Sequence, residues 1–385
     1  MSAESSLARP QKFVVARDSL DGLLTALSRR GYETWGPIRV DGAISYAPIQ
    51  STDELPAGHS DEQAPGKYRL SRRSDAALFQ YASTSQSWKR LLQPPVNRFL
   101  EIHREGDTIR FLPGNGAGAD TSSRRALLGV RSCDLAAIHV LDRVFLHDRY
   151  PDQGYAARRD KLFVVAVNCG YPSSTCFCAS MGTGPEAATG FDIALTEILS
   201  GEHRFVATIG SERGREVLNE IDHRPAEAVD QRAEENVLRS ARESMGRKLH
   251  QEGLREAILS EIESRQWEEV SSRCMSCANC TMVCPTCFCM TVEDGNSLDT
   301  QSASRTRVWD SCFTLQYSYI HGGSVRASAA ARYRQWLTHK LATWHDQFGE
   351  PGCVGCGRCI TWCPVGIDIT KEAEQIRSAA SWGGI

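Results

Sequence analysis

The chain has 385 residues, 41% hydrophobic and 24% charged, with a formal net charge of −3. That composition fits a globular protein of two or three domains, and no dense Lys/Arg block points to nucleic acid. No apolar run reaches the roughly 18–20 residues of a membrane helix, and the opening MSAESSLARPQKF lacks an apolar export core, so a cytoplasmic chain without direct membrane insertion is expected.

Residues 1–120 read as an α+β region. FVVARDSLDGLLTALSRRG predicts a short strand, then a helix that Asp18 or Ser19 caps and Gly31 ends. The polar stretch from Pro48 to Pro65 predicts an exposed loop. RFLEIHREGDTIRFLP predicts a hairpin turning at Glu105-Gly106-Asp107.

Residues 121–224 read as α/β. ALLGV and KLFVVAVNC are buried-strand signals. CDLAAIHVLDRVF places Leu135, Ile138, Leu141 and Phe145 on one helix face. FDIALTEI predicts a strand or short helix, and HRFVATIG a strand. Strands alternating with helices favour a mainly parallel sheet. Residues 225–272 predict a charged helical connector whose charges face solvent.

Residues 273–385 carry the metal chemistry. They predict an α-helical, ferredoxin-like domain with little sheet, a helical insert SVRASAAARYRQWLTHKLATWHDQFG and a loose tail SAASWGGI. Fifteen cysteines suit neither a short exported disulfide scaffold nor an ordinary cytosolic chain, which leaves metal or redox chemistry.

Two runs carry the signal: Cys274-x-x-Cys277-x-x-Cys280-x-x-x-Cys284-Pro285 and Cys353-x-x-Cys356-x-x-Cys359-x-x-x-Cys363-Pro364. Both have the spacing of bacterial ferredoxin [4Fe–4S] loops, in which the fourth Cys serves the other cluster. Cys274, Cys277, Cys280 and Cys363 are therefore expected on one cluster, and Cys353, Cys356, Cys359 and Cys284 on the other. Zinc, usually held by two pairs of ligands, suits the runs less well.

A candidate third cluster falls on Cys133, Cys169, Cys176 and Cys178, expected in loops at the carboxyl edge of a parallel sheet, where sites form. The alternative is buried cysteine packing as a small hydrophobe. Cys287, Cys289 and Cys312 are read as core residues or as neighbours that tune a cluster. Arg358 and Asp368 are read as exposed loop charges, with potential tuning as the alternative. PGNGAGAD (113–120) and SMGTGP (180–185) are turn signals, not phosphate-binding loops. No nucleophile–base pair stands out, so no catalytic residue is assigned.

CVGCGRCITWCPVGIDIT (353–370), CPTCFC (284–289), WDSCFTLQYSYIHGG (309–323), RYRQWLTHKL (332–341), SQSWKRLLQPP (85–95), GVRSCDLAAI (129–138) and VNC with CFCASMGTGP (167–185) together resemble the β subunit of soluble sulfhydrogenases, the NAD(P)-coupled bidirectional [NiFe] hydrogenases. The resemblance implies an electron relay between an FAD-containing, NAD(P)-reactive flavoprotein subunit and the [NiFe] large subunit with its Fe–S small subunit. The relay subunit of anaerobic sulfite reductase is similar too, and implies a sirohaem partner instead. A non-redox docking module built on clusters or zinc is the reading from another class.

Overall fold

The computed structural model describes residues 11–114, 123–147 and 149–382. At its centre lie the strands β1 (Lys12–Ala16), β2 (Tyr32–Val40), β3 (Ala43–Pro48), β8 (Arg124–Val130), β9 (Leu162–Val167), β10 (Ile193–Ile198), β11 (Arg204–Ile209) and β12 (Arg224–Pro225). They form one mixed sheet of eight strands, order β12-β1-β11-β10-β9-β8-β2-β3. β2, β8, β9 and β10 pair in parallel, and the outer strands are antiparallel.

Successive strand residues point to opposite faces. Phe163, Val165 and Val167 of β9 pack with Leu20, Leu23, Leu24 and Leu27 of helix α1 (Leu20–Arg29). Leu162, Val164 and Ala166 pack on the other face with Leu135, Ile138, Leu141 and Phe145 of helix α2 (Ser132–Phe145). β9 is buried on both sides, so its six residues read as an unbroken apolar run, as central parallel strands do. Removing such side chains from water is worth about 1.5–3 kcal/mol each. The register of β8 slips between Leu128 and Val130, at Gly129 with φ +91°, a bulge that suits glycine.

The strand-then-helix expectation holds for β1 and α1, with Gly31 at φ +79° after the helix, but Asp18 and Ser19 lie in a 3-10 turn and Ser19 makes no side-chain cap; FDIALTEI forms strand β10. Two other expectations fail. The stretch from Pro48 to Pro65 is not an exposed loop: it holds a 3-10 turn (Thr52–Glu54) and strand β4 (His59–Ala64), paired with β5 (Lys67–Arg72). Asp61 and Gln63 are buried there. Asp61 accepts from the backbone N–H of Ala82 (2.8 Å), and Gln63 accepts from Thr361 (2.8 Å). Polar side chains with partners are buried readily, so composition alone misleads.

The C-terminal third is not free of sheet either. β13 (Met290–Asn296) and β14 (Ser302–Trp309) form a hairpin that joins the predicted hairpin β6 (Val96–Glu105) and β7 (Thr108–Pro113) in a four-stranded antiparallel sheet, order β13-β14-β6-β7. The hairpin is visible only as part of that long-range pairing. The helical connector comprises α3 (Ala228–Glu243), α4 (Leu254–Ser260) and α5 (Gln266–Arg273).

Helix α6 (Ala329–Thr338) runs into a single π turn (His339–Thr343), and α7 (Ile369–Trp382) takes up most of the expected loose tail. α4, α5, α6 and α7 share a core around Ile258, Trp267, Val270, Tyr333, Trp336, Leu337 and Ile376, on which cysteines of both runs pack. Most of PGNGAGAD lies outside the described residues.

Candidate metal centres

The two cysteine runs adopt the same local conformation. Ser276 (φ +51°) and Ala278 (φ +65°) in the first run correspond to Gly355 (φ +65°) and Gly357 (φ +75°) in the second. A short helix follows each, Asn279–Met282 and Arg358–Thr361. Two non-glycine residues in the left-handed region carry strain, which the closed loop imposes. That turn aims backbone N–H groups at sulfur, with Ser276 N to Cys274 Sγ 3.4 Å and Gly355 N to Cys353 Sγ 3.5 Å, and beyond the second helix Ile367 N reaches Cys363 Sγ at 3.3 Å. Such donors stabilise negative charge on thiolates and on a cluster's sulfurs.

Cys274, Cys277, Cys280 and Cys363 line one apolar cavity with Phe313, Tyr333, Trp336 and Ile369; Cys359 touches the same wall. Cys277 is exposed and Met275 is 66% exposed, so this cavity lies at the surface. Cys284 is tied to the start of the second run through Thr286, whose hydroxyl meets Cys284 Sγ (3.2 Å) and donates to Gly352 O (2.6 Å). Burial first, then the neighbouring thiols Cys353, Cys356, Cys284 and Cys280, push the Cys359 thiol well up. Thiols crowded out of water resist ionisation unless a positive charge gathers them. Thiols with sulfur-directed N–H groups fit the donor chemistry of an iron–sulfur cluster.

Cys133, Cys169, Cys176 and Cys178 are all buried beside the carboxyl ends of β8 and β9. Cys176 accepts from or donates to Ser173 Oγ (3.1 Å), and Cys178 lies against Met245 Sδ (3.8 Å). Burial, then Cys176 and Cys169, pushes the Cys178 thiol well up. Their loop is wedged onto the second run, with Phe177 N donating to Gly355 O (2.8 Å).

Residues 273–367 match the 4Fe-4S dicluster domain family. Over 351 residues the chain is 30% identical to sulfhydrogenase 2 subunit beta of Pyrococcus furiosus, an alignment covering 89% of this chain and 92% of that protein. The chain belongs to the sulfhydrogenase β-subunit family. As a sulfhydrogenase-type β subunit with a [4Fe–4S] domain, it is an iron–sulfur electron-transfer subunit. Among the described residues, no helix of this β subunit is long and apolar enough to cross a membrane.

Other features of the sulfhydrogenase β subunit were not legible in sequence. Lys340, in the π turn, is buried; its Nζ donates to Cys284 Sγ (3.4 Å), Thr286 Oγ1 (2.9 Å) and Gly352 O (3.1 Å). Cys284, Cys287 and Cys353 hold it charged against the cost of burial. Lys89 Nζ donates to Cys284 O (3.1 Å) and Cys287 O (2.9 Å) and lies 3.9 Å over the Trp309 ring. The signal available was a lysine inside each of two motifs, SQSWKRLL and LTHKL, but nothing in either spacing pointed at a cysteine.

Arg358 and Asp368 are not exposed loop charges. Arg358 is fully buried, donating to Thr84 O (2.7 Å) and pairing with Asp134 (2.9 Å); Asp368 is buried and pairs with Arg247 (2.7 Å). Arg131, two residues before Cys133, donates to the carbonyls of Phe79 (2.6 Å) and Tyr81 (2.8 Å), tying the 77–84 segment over the sheet edge. Of the aromatics near the runs, Trp336 shields the Cys274 cavity, whereas Trp309 sits under Lys89.

Proposed function

We propose that this chain relays single electrons between an FAD-containing, NAD(P)-reactive flavoprotein subunit and a [NiFe] hydrogenase module, through one [4Fe–4S] cluster on Cys274, Cys277, Cys280 and Cys363 and another on Cys353, Cys356, Cys359 and Cys284. The observation that carries the reading is the crossed convergence of the two runs: Cys363 joins the first three cysteines of the other run in one cavity. A crossed pair of runs brings two centres close together, and a relay needs short spacing. The exposed Cys277 end gives electrons a surface exit, while the Cys356 end is buried against the N-terminal domain. A ferredoxin-like arrangement of residues 273–385 belongs to the same reading.

The chain's own residues supply potential and insulation. Backbone N–H groups and Lys340 favour the more negative, reduced state, and Phe313, Tyr333 and Trp336 exclude water. The buried Cys133, Cys169, Cys176 and Cys178 form a further candidate ligand set at the sheet edge.

The test is anaerobic purification of the native complex, with subunit identification, an iron count per chain and EPR on the reduced sample. A [NiFe] subunit beside an FAD subunit is expected. A sirohaem partner assigns the chain to a sulfite-reducing complex instead. A chain holding zinc and no iron overturns the relay.

A further inference from the structure

We infer that Cys287, Cys289 and Cys312 form an additional iron–sulfur cluster site, distinct from both ferredoxin-type runs and from the N-terminal cysteines. All three line one cavity of about 180 Å³ with Phe288, Tyr317, His339 and Lys340. The thiols come from two segments, the tail of CPTCFC and the WDSCF loop. The backbone joins them just outside the β13–β14 hairpin, where Asp310 N donates to Cys289 O (3.0 Å). That backbone contact holds Cys289 and Cys312 on the same cavity wall as Cys287.

Three further features suit a cluster rather than ordinary core packing. The cavity is far roomier than a well-packed core leaves between side chains. A buried ammonium, Lys340, faces it, and a fixed positive charge offsets the cost of gathering thiolates out of water. Lys340 sits on a π turn, an irregularity that helices keep at functional sites. The ligand class is a thiolate-bound iron–sulfur cluster. Three cysteines leave one iron for a non-thiolate ligand, and Tyr317 and His339 are the lone-pair side chains on that wall. Lys340 on this wall reaches Cys284 Sγ (3.4 Å), so the site extends the same relay; the inference rests on the iron–sulfur reading above.

The experiment compares wild-type holo chain with Cys289→Ala/Cys312→Ala, both purified anaerobically, by iron, sulfide and zinc analysis and by EPR. The expected result is a loss of about three to four irons per chain, with the EPR signals of the two ferredoxin-type clusters retained. Unchanged iron overturns the inference and leaves the relay reading standing, whereas wild type without iron overturns both. Loss of about one zinc instead of iron overturns the cluster assignment. If the double variant unfolds by circular dichroism, Cys287→Ser is used. Serine oxygen still binds iron, so the EPR signal and midpoint of one additional centre must shift; unchanged spectra overturn the inference.

Discussion

Arg358 and Asp134 form a fully buried ion pair, Nη2 to Oδ2 2.9 Å, with side chains 0% and 1% exposed. Arg358 immediately precedes Cys359 in the second run, and Asp134 immediately follows Cys133 on the first turn of α2. The pair therefore bolts the cysteine domain to the end of the parallel sheet. Breaking it from one side leaves an unpaired buried charge, which costs about 3–5 kcal/mol. Asp134→Asn and Arg358→Met should each lower stability by that order in chemical denaturation of the holo chain. Equal stability of either variant and wild type would rule out this role.

Gly355 joins the same two regions sterically. A Cβ added there would sit 2.7 Å from the backbone of Cys178, and φ is +65°. Neither the space nor the backbone tolerates a side chain, so Gly355→Ala should destabilise by about 1–3 kcal/mol. Iron content should fall with it, because the second run would have to move off the Cys176–Cys178 loop. Calorimetry with iron analysis checks this.

Lys340 places a buried positive charge 3.4 Å from Cys284 Sγ. A positive charge favours the reduced cluster, so its removal lowers the midpoint potential. Lys340→Met should shift one centre downward by on the order of 60 mV, the n = 1 equivalent of a tenfold change in equilibrium constant. EPR-monitored redox titration reads the shift, with iron content held at the wild-type value. An upward or absent shift would remove Lys340 from the potential-setting role.

Cys277→Ala and Cys356→Ala each remove one ligand from a different proposed cluster. Each should reduce iron by up to about four per chain and abolish NAD(P)-coupled turnover, while hydrogen activation at the partner persists. Coupled turnover that survives either change would contradict the relay.

Asp230 closes the start of α3, accepting from Arg224 (2.7 Å) and Arg204 (3.1 Å). The hydrogen bond from Arg224 is the main cause that holds its carboxyl down at about 2. A depressed folded value means the stabilisation is complete above the unfolded value near 4 and is lost as pH falls toward 2. Asp230→Asn should therefore lower stability at neutral pH and narrow its gap to wild type across that acid window. Denaturation curves between pH 7 and 2 test the sign.

The sequence by itself determined the chemistry. Ligand spacing in a ferredoxin loop is local: three cysteines within seven residues close on one site, whatever the rest of the chain does, and Cys274 to Cys280 and Cys353 to Cys359 show it. The apolar run Leu162–Val167 and the amphipathic α2 were legible for the same reason, since periodicity is a property of neighbouring residues. The tertiary structure alone decided what depends on distant partners. Ser302–Trp309 became a strand by pairing with Val96–Glu105, some 200 residues away. Asp61, Arg358 and Asp368 were buried because each found a partner far along the chain. Cys287, Cys289, Cys312 and Lys340 share a cavity because α6 and its π turn fold back over the CPTCFC segment. Burial of a polar or charged group is settled by whether its partner arrives, and no local pattern encodes that arrival.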